Sequence, residues 1–128
     1  MLRCVPAHFL AIGVLLGLAL PAQAQRVFQA NALRGELVVT QPPEALLNGK
    51  PVRLSPGARI RNQQNLIQVS GSLLGQKLAV NYTLDGAGEL RDAWILTAAE
   101  LGQRPWPTTA AQAQTWIFDS TMQRWSRP

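Results

Sequence analysis

The sequence predicts a mainly β protein, folded as a small antiparallel barrel or a strongly bent sheet with one short helix and a C-terminal hairpin. Short apolar runs rich in Val, Ile and Leu recur from Gly35 to Thr97 and are broken every few residues by Gly, Pro, Asn or Asp, which is the rhythm of strands and turns. Five to six short strands in about 60 residues would leave one face of a flat sheet exposed, so the sheet is expected to curl. The connections lack the crossovers that parallel neighbours need, which predicts antiparallel pairing throughout.

The first strand, Glu36 to Thr40, stops at Gln41-Pro42-Pro43, because proline offers no N–H to a sheet ladder and two in succession enforce a turn. Ala45-Leu46-Leu47 and Lys50 to Leu54 flank Asn48-Gly49, a pair that tolerates the positive φ angles of a type I′ turn and so marks a hairpin. Pro51 puts the returning strand at a free edge or points its missing N–H outward. Ser55-Pro56-Gly57 reads as a turn into Ala58-Arg59-Ile60-Arg61, a strand with Ile60 on one face and both arginines on the other. The polar tip Asn62 to Asn65 leads to an expected strand from Leu66 to Ser70. Lys77 to Leu84 alternates most clearly, so Leu78, Val80, Tyr82 and Leu84 share a face and are the expected core. Asp85-Gly86-Ala87-Gly88 then reverses the chain into Glu89 to Leu96.

Thr97-Ala98-Ala99-Glu100 has capping-box spacing, and the helix it starts should end at Gly102. Pro105-Trp106-Pro107 is an extended linker, since each proline fixes its own φ and pushes the preceding residue towards extended geometry. Thr108 to Thr115 is read either as a brief helix or as flexible, and Trp116 to Trp125 as a hairpin that brings its two tryptophans together. This set of elements suits a barrel of the OB or SH3 kind.

Before the strands comes a positive start at Arg3, an apolar run from Phe9 to Leu20 and the small-residue pattern Ala22-Gln23-Ala24, the three parts of a secretory signal in order. The run is shorter than the ~20 residues that span a bilayer. Cleavage after Ala24 would therefore leave a chain with no membrane span. The organisation expected is a signal at 1–24, a lead-in at 25–34, the β domain at 35–102, and a linker with a Trp-rich segment at 103–128. Removing the signal from the 128 residues leaves 104, enough for one small domain. It also removes one of 12 cationic residues and none of the 7 acids, leaving a net charge of +4.

Cys4 and His8 are the sole residues of their kinds and both lie in the signal. The remaining chain can form no disulfide, and lacks the imidazole or sulfur at the centre of a serine triad, a thiolate nucleophile or an ordinary zinc site. No phosphate-cradling glycine motif occurs, and no cofactor or metal is expected. Glu89 and Asp92 are the nearest acid pair, but three positions apart on a strand they face opposite ways. Asp85 is accounted for by its turn, and Asn81-Tyr82-Thr83 matches a glycosylation acceptor by its letters alone. No catalytic residue is assigned and the protein is expected not to be an enzyme.

Two groups remain as candidate binding residues. Arg53, Arg59 and Arg61 could form a basic patch able to hold phosphate groups of lipid or polysaccharide. Nucleic acid is disfavoured, because no aromatic residues interleave with these arginines. Three of the four tryptophans lie in the last 23 residues, and Trp106, Trp116, Phe118 and Trp125 read either as a recognition surface or as a lid folded over the barrel with Trp116 stacked on Trp125. Trp94 is placed in or beside the core.

The segments Pro42 to Asn62 and Gly75 to Glu100, with the terminal Trp116-x-Phe118-Asp119 and Trp125-Ser126-Arg127-Pro128, resemble a group of small exported proteobacterial proteins with no established function. The order of strands and turns is also similar to periplasmic OB-like barrel domains. Neither resemblance implies a catalytic residue. The functional expectation is a periplasmic, non-enzymatic β protein that binds another envelope protein, by the strand edge near Pro51 or by the tryptophan tail. The alternatives are an anionic ligand on the arginine patch and, more remotely, a hydrolase using Glu89 and Asp92.

Overall fold

The computed structural model describes residues 25–128, together with Gly13 and Gly17. The expected signal at 1–24, with Cys4 and His8, lies outside the described stretch. Among the described residues, no helix is long and apolar enough to cross a membrane.

Among the described residues, eight strands, one 3-10 turn and two short helices make up the fold. Strands β1 (Leu33–Gln41), β2 (Glu44–Leu47), β3 (Lys50–Arg61), β5 (Leu78–Leu84) and β6 (Leu90–Ile95) close a five-stranded barrel. The order around it is β1-β2-β3-β6-β5 and back to β1. β4 (Ile67–Gln68) is a two-residue appendage on β3, and the 3-10 turn at Ser70–Leu73 follows it. The barrel is filled from both ends of the sequence pattern: Leu37, Val39, Leu47, Leu54, Ile60, Val80, Tyr82 and Leu90 are all buried.

Turn chemistry places the hairpins. Asn48 and Gly49 both take positive φ, 54° and 79°, and Leu47 pairs with Lys50 across them. Positive φ at both central residues is the type I′ condition. Asp85 holds its own turn, its Oδ1 accepting the backbone N–H groups of Ala87 and Glu89 at 2.9 Å each. The Thr97–Glu100 capping box is complete and starts α1 (Ala98–Leu101), which ends at Gly102. The two readings of Thr108 to Thr115 resolve as helix α2 (Ala110–Thr115), capped by Thr109.

Four expectations are corrected. Pairing is not antiparallel throughout, since β3 and β6 run parallel with Arg59 opposite Asp92 and Ile60 opposite Ala93. The required crossover is residues 62–89, which contain another barrel strand, so a parallel pair needs no helix to return the chain. Ser55-Pro56-Gly57 does not end a strand: β3 runs through it, pairing with β2 over Lys50–Arg53 and with β6 from Leu54 onward. The β3–β6 register shifts between Leu54 and Arg59, so Pro56 lies where the ladder is already interrupted. Leu66 to Ser70 forms only the two-residue β4, leaving Leu66, Ile67 and Val69 more than half exposed. Leu84 is 42% exposed while Leu78, Val80 and Tyr82 are buried, because a register shift at Thr83/Leu84 ends the regular alternation.

A second cluster packs on the outside of the barrel: Phe28, Ala32, Leu96, Trp106 and Trp125. The C-terminal hairpin β7 (Ile117–Asp119) and β8 (Arg124–Ser126) contributes Trp125 and Phe118 to it.

Candidate functional site

Two strands set up the arginine patch. Odd-numbered residues of β3 point out of the barrel while Leu54 and Ile60 point in, so Arg59 and Arg61 emerge side by side. Parallel pairing then sets Asp92 opposite Arg59 and Trp94 opposite Arg61. The result is a groove of about 910 Å³ lined by Arg26, Arg59, Arg61 and Arg91 and by Asp85 and Asp92, with the Arg26 guanidinium engaged by Glu100 outside it. Asp92 is closely engaged, accepting from Arg61 Nη1 at 3.4 Å and from Thr83 Oγ1 at 3.3 Å. Arg61 also lies over Trp94, 5.7 Å from the ring centroid. Arg59 has no carboxylate within ion-pair distance among the described residues.

Arg53 does not join them. Six positions along a strand separate it from Arg59 by up to roughly 20 Å, and it reaches across to Glu44 of β2 at 3.7 Å instead. Both side chains of that pair are mostly exposed. The sequence showed that all three arginines point outward, but not which neighbouring strand each would meet.

Trp106 and Trp125 are buried, at 5% and 4% exposure, and Trp116 and Phe118 are partly buried beside them. Trp106 sits at the centre: edge-to-face on Phe28, Phe118 and Trp125 with centroids 5.7 to 6.1 Å apart, its indole N–H donating to Ala32 O at 2.9 Å. The flanking prolines hold the backbone extended, and Pro107 O accepts from Arg34 N–H at 2.8 Å. The cross-strand partner of Trp125 is Phe118, stacked at 4.6 Å, not Trp116. Trp116 precedes β7 and lies against Arg127 at 5.2 Å. Most of the tail's aromatic surface is therefore already covered by the lead-in and the barrel.

Sequence reasoning missed the polar frame around this cluster. Arg26 grips Glu100 with two nitrogens, Nε to Oε2 at 2.9 Å, and donates to Asn62 O and Ile95 O. Burial acts to raise the Glu100 carboxyl, but hydrogen bonds from Arg26 and Thr97 outweigh it and hold the group below its ordinary value. Arg34 donates to Asn81 Oδ1, Gln103 O and Glu100 O, with its guanidinium 5.1 Å from the Trp106 centroid. Burial, and then the charge of Arg104, push Arg34 down to about 10. Gln123, 3% exposed, accepts from Phe28 N–H at 2.8 Å and so ties the hairpin turn to the lead-in. The Thr97-Glu100 spacing signalled a helix cap; nothing local signalled an arginine 74 residues earlier.

The carboxylates do not assemble an acid-base pair. Asp92 lines the groove with Arg61 and Arg91, whereas Glu89 lies outside it with one carboxylate oxygen unpartnered. Asn81 is fully buried, so the glycosylation triplet is sealed in the barrel wall. No family model, curated protein or solved structure matches this chain.

Proposed function

We propose that the protein is an exported, non-enzymatic OB-like barrel that binds an anionic envelope polysaccharide in the β3–β6 groove. The observation that carries this reading is that, with Arg26 engaged by Glu100, three arginines face two carboxylates there and Arg59 has no carboxylate partner. Such a surplus attracts anions, and guanidinium pairs bidentately with carboxylate and phosphate. The strand order with a parallel β3–β6 pair is similar to OB barrels, which bind oligosaccharides on the face of their second and third strands and on the loops after their first and fourth; the groove here shares with that surface β3 and the β5–β6 turn. Asp85, in the β5–β6 turn, borders the groove. A polar, open groove suits a hydrated chain better than the acyl tails of a lipid.

The test is titration with an alginate oligomer, a polyuronate, at low and high salt. Binding should weaken steeply with salt and fall about tenfold in Arg59→Gln/Arg91→Gln, as expected for losing charge-assisted contacts. Salt-insensitive binding, or none at low salt, removes the proposal. Export is checked separately by sequencing the protein recovered from the envelope fraction, which should begin at Gln25.

A second reading, an envelope protein docked on the barrel edge, draws support from one observation. Leu66, Ile67, Val69 and Leu74 are each at least half exposed beside the short edge strand β4. An edge of that kind can accept an added strand. Replacing Ile67 and Val69 with serine would abolish such capture and leave polysaccharide binding intact.

A further inference from the structure

We propose that the cleft between the Arg104–Trp106 linker and the C-terminal hairpin is a binding site for an oxyanion, carboxylate or phosphate, carried on a small apolar group. The cleft encloses about 620 Å³ and shares no lining residue with the β3–β6 groove. Its volume falls within the roughly 300–1,000 Å³ of small-molecule sites. Arg34, Arg104 and Arg127 line it with Pro105, Trp106 and Trp125, and no carboxylate does.

Charge in this cleft is unbalanced, since three arginines and no acid line it. Arg26, Arg53, Arg61 and Arg91 each lie within 4.0 Å of a carboxylate, whereas none of these three arginines does. The like charge of Arg104 is felt at Arg34 itself. Glu100 is the acid that offsets it, and Arg26 already engages both oxygens of that carboxylate.

The cationic groups are also held in place. Arg34 is fixed by three acceptor oxygens and the face of Trp106, Arg104 Nε by Leu101 O at 3.2 Å, and Arg127 by the face of Trp116. Groups already ordered lose little freedom on binding, so their attraction is not spent on ordering them. Trp125, 4% exposed, walls the cleft beside them. The unbalanced guanidinium charge calls for acceptor oxygen. The flanking indoles and Pro105 call for an apolar group behind it.

The experiment is a titration of ¹⁵N-labelled protein with phenyl phosphate, benzoate, inorganic phosphate and benzyl alcohol, following the tryptophan indole N–H signals. Phenyl phosphate and benzoate should move the Trp125 signal, with inorganic phosphate about tenfold weaker and benzyl alcohol without effect. Arg104→Gln/Arg127→Gln changes two exposed side chains. It should weaken phenyl phosphate by about tenfold or more with the spectrum otherwise folded. Arg59→Gln/Arg91→Gln should leave that binding unchanged. Unaltered binding in the Arg104/Arg127 variant, loss in the Arg59/Arg91 variant, or no movement of Trp125 with any anion overturns the site. Equal binding of inorganic phosphate overturns its apolar part.

Discussion

The barrel interior and the aromatic cluster outside it are built by opposite means. Inside, aliphatic side chains from consecutive hairpins meet: Leu37, Val39, Leu47, Val80 and Leu90 need only the period of two and a correct register. Outside, Phe28, Trp106 and Trp125 come from the beginning, the linker and the end of the described chain. They are joined by polar groups that each reach far along the sequence, Arg26 to Glu100 and Gln123 to Phe28. With no cysteine among the described residues, only packing and hydrogen bonds hold the two ends of the described stretch to the barrel. The second cluster takes the part that cross-links play in many small secreted domains.

If so, the two regions unfold together, and the largest effect should come from the outer one. Trp106→Ala should cost about 4 kcal/mol, the usual range for removing a buried aromatic. Denaturant unfolding followed by far-UV and near-UV signals would report it. Coincident transitions support the comparison, and an early near-UV transition with the barrel intact would break it.

Glu100→Ala should cost roughly 3 kcal/mol by leaving the Arg26 guanidinium buried without its partner. The same pair predicts acid behaviour. Because the folded carboxyl titrates below its ordinary value, its stabilisation is complete above the ordinary carboxylate range and is lost as pH falls through the folded value. Glu100→Gln should therefore flatten the acid limb of a melting-temperature profile. A limb of unchanged steepness would assign it to other carboxylates.

Inside the barrel, Gly35→Ala sharpens the contrast. A Cβ there would lie 2.7 Å from Asn48 Oδ1 and 3.0 Å from Tyr82 Cε1, and Asn48 is held by Glu36 N–H at 2.9 Å. A loss of about 1–3 kcal/mol is expected from this overpacking. Leu84→Ala should be smallest, within roughly 0.5 kcal/mol, because this side chain left the core face. A cost comparable with that of Val80→Ala would restore Leu84 to the core.

The patch and the cleft follow the same division. That Arg59 and Arg61 share a face was legible, because alternation is a local property of a strand. That Arg53 pairs with Glu44 while Arg59 faces Asp92 depended on β3 changing partners midway. Arg34, Arg104 and Arg127 gave no common signal, since they come from a barrel strand, a linker and the tail.

The sequence by itself determined the β class, the Asn48-Gly49 and Asp85–Gly88 turns, the Thr97–Glu100 cap and most of the inward-facing residues. Each of these depends on φ preferences, side-chain caps or a two-residue period acting over a few neighbours. Tertiary structure alone decided the parallel β3–β6 pair, the continuation of β3 through Pro56, and the burial of Trp106 and Trp125. Those outcomes depend on which distant segments can cover apolar surface and satisfy buried N–H and guanidinium groups at the same time, and no local pattern encodes that.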